Sequence, residues 1–171
     1  MMFTRPNLIF LAAGGSAAMM IGALLFQYVG DMAPCKLCYW QRYPHVAAIV
    51  IGVLALAIPG RGLPLLGALA ALTTAGIAAY HTGVERKWWA GPESCSGGGS
   101  GLGGLSGSDL LDMSAPAGVV MCDEVPWEMF GLSMASWNGV ASLGFALLWL
   151  MAARSRVYPG LSCNPMRFRG N

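Results

Sequence analysis

The sequence predicts an all-α membrane protein, a four-helix transmembrane bundle with a long loop between helices 3 and 4, forming a single integral membrane domain over residues 1–171. Three observations predict it. Only 11% of the 171 residues are charged and 56% are apolar, where soluble domains carry roughly 25% charged residues; the mean hydropathy is positive. Four apolar segments reach or can be extended to spanning length. All eight acids between or beside them fall at one end, and six of the ten bases at the other.

The first span is Leu8 to Val29, 22 residues without a charge. At 1.5 Å per residue it covers the roughly 30 Å hydrocarbon core. It is too long for the apolar region of a signal peptide, and more spans follow, so it reads as an uncleaved helix. Val46 to Ile58 is apolar over only 13 residues, too few to span. Extending it back to Cys38 gives 21 residues. That extension puts Cys38 at a helix N-terminus, Arg42 at membrane depth and Pro44 in the first turns, where it removes one backbone bond. The competing start near Pro44, as a first-turn proline, leaves the span short. Pro59-Gly60-Arg61-Gly62 is a tight turn. The third span is Leu63 to Tyr80. Residues 81–132 form a polar, turn-rich loop whose stretch Ser96 to Ser108 is dominated by Gly and Ser and reads as flexible. Within it, Ser108 to Met113 has a cap residue and paired leucines and is expected to form a short helix on the bilayer. Trp127, Phe130 and Trp137 suit a membrane interface. The fourth span is 133–153, followed by a tail over 154–171.

Four spans put both termini on one side. That side holds Arg5, Arg61, Arg154, Arg156, Arg167 and Arg169 and no acid; the other holds Lys36, Arg42, Arg86 and Lys87 with Asp31, Glu85, Glu93, Asp109, Asp112, Asp123, Glu124 and Glu128. Six bases against four favour cytoplasmic termini. Cys35, Cys38, Cys95 and Cys122 then lie outside the cytoplasm, where disulfides persist, and Cys163 lies inside, where thiols stay reduced.

Cys35-Lys36-Leu37-Cys38 is a dithiol pair at a membrane edge. A disulfide is broken by attack of a thiolate, so whatever favours the anion favours exchange. The helix N-terminus does so at Cys38. So does Arg42, one turn on along the same face and permanently charged. An arginine at membrane depth is costly and points to a functional partner. The plainer reading is a structural disulfide at a loop base, with Arg42 snorkelling to lipid phosphates. Zinc would want four ligands in compact pairs, which Cys95 and Cys122 are not. Covalent haem needs a His after the second Cys, where Tyr39 stands. Cys95 and Cys122 bracket the Gly/Ser stretch, either as a staple or as a second redox pair. His81, at the outer end of span three, reads as a capping or interfacial residue or as a proton donor or acceptor near a membrane-bound acceptor. Trp88, Trp89 and Trp127 read as interface anchors.

Pro34-Cys35-Lys36-Leu37-Cys38-Tyr39-Trp40-Gln41-Arg42, the second cysteine pair between spans three and four, and Cys122-Asp123-Glu124-Val125-Pro126-Trp127-Glu128-Met129-Phe130-Gly131-Leu132-Ser133-Met134 resemble the disulfide bond formation protein B (DsbB) family over most of the chain. The resemblance implies a bacterial inner-membrane thiol–quinone oxidoreductase with a periplasmic loop. Such an enzyme reoxidises a periplasmic thioredoxin-like dithiol oxidase, DsbA, and passes the electrons to ubiquinone or menaquinone. It implies redox pairs Cys35–Cys38 and Cys95–Cys122: Cys95 meeting DsbA, Cys122 exchanging with Cys35, and Cys38 facing the quinone. Arg42 would polarise a quinone oxygen and hold the thiolate, and His81 matches a quinone-site histidine. Gln41 receives no role, and no metal is implied. DsbA is itself a strong oxidant, so the quinone must supply the net drive. Two other readings remain: a vitamin K epoxide reductase-like enzyme, in which the CxxC lies near the end of the bundle, and a non-enzymatic assembly factor with structural disulfides.

Overall fold

The structure, a computed structural model, describes residues 4–92 and 122–155. These form helices α1 (Arg5–Tyr28), α2 (Lys36–Ala57) and α3 (Gly62–Glu85), strands β1 (Glu128–Met129) and β2 (Leu132–Ser133), and helix α4 (Met134–Arg154). Helices α1, α3 and α4 are long and apolar enough to cross a membrane, so the chain is a multi-pass membrane protein. Helix α2 is of similar length but opens on Lys36, Gln41, Arg42 and His45, which dilute its apolar character. The expected surface helix over 108–113, and the tail beyond Ser155, lie outside the described residues.

Helix α2 begins earlier than the apolar run suggested. Cys35 is its N-cap, and the sulfur accepts from the backbone N–H of Cys38, a donor that the first turn of a helix leaves without an internal partner. Cys38 is therefore the third residue of the helix, not its first. Pro44 lies inside the helix, which rules out a start at that proline. Helix α3 runs past Tyr80 to Glu85, so the loop begins later than expected and His81 belongs to the helix. Before α4 the chain makes a hairpin, pairing Glu128 with Ser133 and Met129 with Leu132. Its turn residues Phe130 and Gly131 have φ of 55° and 74°, the sign that a two-residue hairpin turn of the primed type requires. Ser133 then caps α4, its hydroxyl oxygen accepting from Ser136 N–H at 3.2 Å.

Helix α3 packs on α2 and α4, and α1 on α2 and α4. The interior is built of small residues, among them Ala12, Ala55, Ala68, Ala71, Ala146 and Ala152 around the fully buried Trp149. Small residues let helices approach where lipid supplies no hydrophobic drive between them. Trp149 lies over Gly67, where a Cβ would fall 2.6 Å from its ring. Phe10, Val53, Leu69 and Leu147 face outward, each more than half exposed, as a lipid-facing surface requires. At one end Arg5 donates to the Gly60 carbonyl at 2.5 Å, joining the start of α1 to the α2–α3 turn. At the other end lie Cys35, the end of α3 and the hairpin, which Arg86 ties to α3 through the Gly131 carbonyl at 3.0 Å. The two ends are those separated by the charge sorting.

Candidate active site

The sulfurs of Cys35 and Cys38 are 2.7 Å apart. Both are thiols, and at that separation a disulfide closes by side-chain rotation without backbone movement. Cys35 is buried. Its hydrogen bond with Cys38, followed by burial and by the negative charge of Cys38, pushes its thiol well above the ordinary cysteine range. Cys35 is thus the member of the pair that keeps its proton.

Helix α3 places His81 against this pair. The imidazole is buried, with Nε2 3.6 Å from Cys35 Sγ and 3.8 Å from Glu85 Oε1. The capping or interfacial reading of His81 is therefore replaced by a core one. Nδ1 lies 2.8 Å from Gln41 Nε2. Cys122 is fully buried and clusters with Cys35, Leu37, Val84 and Cys38, and its backbone carbonyl hydrogen-bonds the His81 ring. The structure thus gathers Cys35, Cys38, His81 and Cys122. Cys95 lies outside the described residues, as does Cys163.

Arg42 sits one turn below Cys38. Nη1 donates to Gln27 Oε1 at 2.6 Å and Nη2 to the Ala23 carbonyl at 3.3 Å, while the guanidinium lies 5.1 Å from the centre of the Tyr39 ring. Snorkelling to lipid phosphate is therefore not its arrangement: α1 holds it inward. A cavity of about 220 Å³ opens beside it, its apolar lining including Met19, Met20, Phe26, Met32 and Met134, and its polar lining Arg42, His81 and Glu85 with Gln41, His45, Glu124 and Asn138, beside Cys35 and Cys38. Of the three tryptophans, Trp88 and Trp89 are exposed, and Trp127 packs on Phe26 with ring centres 5.7 Å apart.

Sequence reasoning missed five polar residues here. Gln41 and His45 of α2 and Asn138 of α4 are buried and hydrogen-bonded to one another (described below). Glu85 accepts from Ser133 Oγ. Gln27 holds Arg42. Gln41 and His45 sit four residues apart in an otherwise apolar helix, and a polar residue at membrane depth faces the bundle interior; that was the available signal. Sγ of Cys35, Sγ of Cys38 and a ring nitrogen of His81 all lie within 4.8 Å of one another, a donor set of the kind that holds thiophilic cations.

The sequence profile of a family described as "Disulfide bond formation protein DsbB" matches residues 5–152. The chain belongs to the DsbB family. Among curated relatives, disulfide bond formation protein B of Hahella chejuensis is 34% identical over 158 residues, covering 87% of this chain and 93% of the relative. Its counterpart in Methylococcus capsulatus is 35% identical over 151 residues, covering 81% and 90%. That of Albidiferax ferrireducens is 33% identical over 150 residues, covering 78% and 84%. No solved structure matches the chain. The matched span contains Cys35, Cys38, His81, Cys122 and all but the last two residues of the four long helices, so this DsbB-family member is a disulfide bond formation protein of the membrane.

Proposed function

We propose that the protein is a thiol–quinone oxidoreductase of the bacterial inner membrane, with four spans, both termini in the cytoplasm, and the loop between α3 and α4 facing the periplasm. It takes electrons from a periplasmic DsbA-like dithiol oxidase and passes them to ubiquinone or menaquinone, so that exported proteins receive disulfides. One observation carries this reading: the Cys35–Cys38 dithiol and Arg42 stand together on the wall of an apolar cavity within the bundle.

The cavity fits the acceptor's chemistry. Its volume, about 220 Å³, lies below the roughly 300–1,000 Å³ of sites that enclose drug-sized ligands. It suits a ring head group whose isoprenoid tail stays in lipid. Flexible methionines shape themselves to a flat apolar ring. Arg42, held by Gln27 and Ala23, presents a fixed positive charge to an oxygen of that ring. When bound, a quinone accepts the electron pair and two protons released as the dithiol closes to a disulfide.

The chain's own residues supply the thiol side. Cys122, at the edge of the loop and packed on Cys35, is placed for exchange: its thiolate attacks Cys35 Sγ, the Cys35–Cys38 bond breaks, and Cys38 departs as thiolate. Cys95 is the partner-facing member of the second pair. The test is quinone reduction by the purified, detergent-solubilised protein supplied with reduced DsbA. Turnover is expected with ubiquinone or menaquinone; none with either overturns the proposal.

A further inference from the structure

Below the dithiol, an unbroken run of buried hydrogen bonds crosses three helices. Cys35 Sγ lies 3.6 Å from His81 Nε2, and His81 Nδ1 lies 2.8 Å from Gln41 Nε2. Gln41 Oε1 lies 2.5 Å from Asn138 Nδ2, and Asn138 Oδ1 lies 2.9 Å from His45 Nε2. The Thr74 hydroxyl donates to the Gln41 backbone carbonyl at 3.0 Å and anchors the middle of the run to α3. All five side chains are buried.

The direction of this run follows from its upper end. His81 Nε2 faces the Cys35 sulfur at 3.6 Å and a Glu85 carboxylate oxygen at 3.8 Å. A carboxylate attracts a ring N–H and the Gln41 NH₂ beside Nδ1 can only donate, so Nε2 carries the hydrogen. In the neutral imidazole Nδ1 is then an acceptor, which only an amide N–H can satisfy. Gln41 must turn its NH₂ to His81 and its oxygen to Asn138. Asn138 must in turn give an N–H to Gln41 and accept from His45. Every donor points toward Cys35.

We propose that Gln41, Asn138 and His45 are positioning residues that lock His81 in the Nε2–H tautomer, so that it holds an N–H against the Cys35 sulfur. The functional consequence rests on the reading above. Oxidation of the dithiol removes two protons and an electron pair to the quinone-class acceptor, giving quinol and the Cys35–Cys38 disulfide. Cys35 is the thiol that gives up its proton reluctantly, beside an anion at Cys38. An N–H donor on its sulfur stabilises the thiolate as it forms. The same lock removes the Nε2 lone pair, so the Cys35, Cys38 and His81 donor set is short of one ligand for a thiophilic cation.

The test uses the full-length reduced protein in detergent, with ¹⁵N-labelled histidine read by NMR. Wild type is expected to show His81 protonated at Nε2 and bare at Nδ1. Gln41→Glu replaces the amide donor with a carboxylate acceptor, so the proton should move to Nδ1. The freed Nε2 should then raise the affinity for Cd²⁺, read from the thiolate-to-metal absorption band, by about tenfold or more, as a carboxylate behind a ligating histidine does. Asn138→Leu removes the support of Gln41 without adding charge and should leave a mixture of tautomers. Both variants should slow dithiol oxidation about tenfold, the scale of one hydrogen bond to a charged group. A wild-type His81 protonated at Nδ1, or a tautomer unmoved by both substitutions, overturns the lock. A tautomer that moves while the oxidation rate does not overturns the positioning role. Failure of quinone turnover in wild type with the tautomer as expected counts against the proposed function alone.

Discussion

Arg42→Met should separate the two halves of the proposed reaction. Methionine keeps the length and apolar stem of the side chain but deletes the charge and both hydrogen bonds to α1, at 2.6 and 3.3 Å. Residues four apart on a helix face stand about 5–6 Å apart at Cβ. Two unit charges at about 6 Å in an effective dielectric of about 20 interact by about 3 kcal/mol, so losing the guanidinium should cost the Cys38 anion or a developing quinone oxyanion a factor of roughly one hundred. The loss should appear as a higher apparent KM for quinone and a lower kcat. Exchange with the dithiol partner should persist, because Cys122 and Cys35 meet in a cluster to which Arg42 does not belong. The assay pairs quinone reduction under steady state with single-turnover trapping of the mixed disulfide. Arg42→Lys should recover part of the loss, keeping the charge but not the fork that spans Gln27 and Ala23. Quinone kinetics unchanged in Arg42→Met would refute the reasoning.

Further outcomes follow from the same geometry. Cys38→Ser should abolish turnover and trap Cys35 in a disulfide with Cys122, seen as a mass-mapped crosslinked peptide; retained activity would favour the assembly-factor reading. Cys35 holds its proton above the ordinary thiol range chiefly through Cys38, so in the dithiol its alkylation at neutral pH should be slow and rise only in alkaline buffer, and in Cys38→Ser the rise should move to lower pH. Gly67→Leu would drive a side chain into Trp149, whose ring lies 2.6 Å from the position of a Cβ. Overpacking of that kind costs about 1–3 kcal/mol and should lower the midpoint of thermal unfolding in detergent, whereas Gly76→Leu, with nothing within 4 Å of its Cβ position, should not.

Much of this fold was legible because membrane spans are long, uniform signals. Leu8 to Val29 and Leu63 to Tyr80 lie inside α1 and α3 apart from one residue, and length arithmetic alone carried α2 back past Arg42. Its true start was less legible. A cysteine sulfur accepting from the helix N-terminus substitutes for the usual Ser or Asp cap, and composition does not flag Cys35 in that role. The end of α3 was placed at Tyr80 because His81, Thr82 and Glu85 look like loop residues; they are helical because each has a partner across the bundle, Thr82 with Ser136 at 3.0 Å and Glu85 with Ser133. The hairpin was missed because two-residue strands carry too little alternation to register. The cysteines and Arg42 could be read from spacing. Gln41, His45 and Asn138 could not, since what makes them a unit is the meeting of α2 with α4, a contact between positions nearly a hundred residues apart.

The distribution of polarity inside the bundle explains why that meeting matters. Toward the end marked by Arg5 and Gly60, the interior is mostly alanine, with Leu8, Ile9 and Trp149; among the described residues, Ser142 Oγ and Trp149 Nε1 are the buried side-chain polar atoms without a hydrogen-bond partner. Toward the other end, buried histidines, amides and Glu85 crowd beneath the dithiol. A buried polar group left without a partner costs about 1–3 kcal/mol, and the low dielectric around it raises the stakes for every member of a network. Five buried side chains held by consecutive hydrogen bonds avoid that cost only as a set, so a single apolar substitution strands its neighbours. Such an arrangement suits rigidity better than stability. It holds one imidazole nitrogen against the Cys35 sulfur, on which Cys122 also packs. The rigid floor lies where the proposed exchange would take place, and the small-residue half of the bundle needs only to keep the helices together.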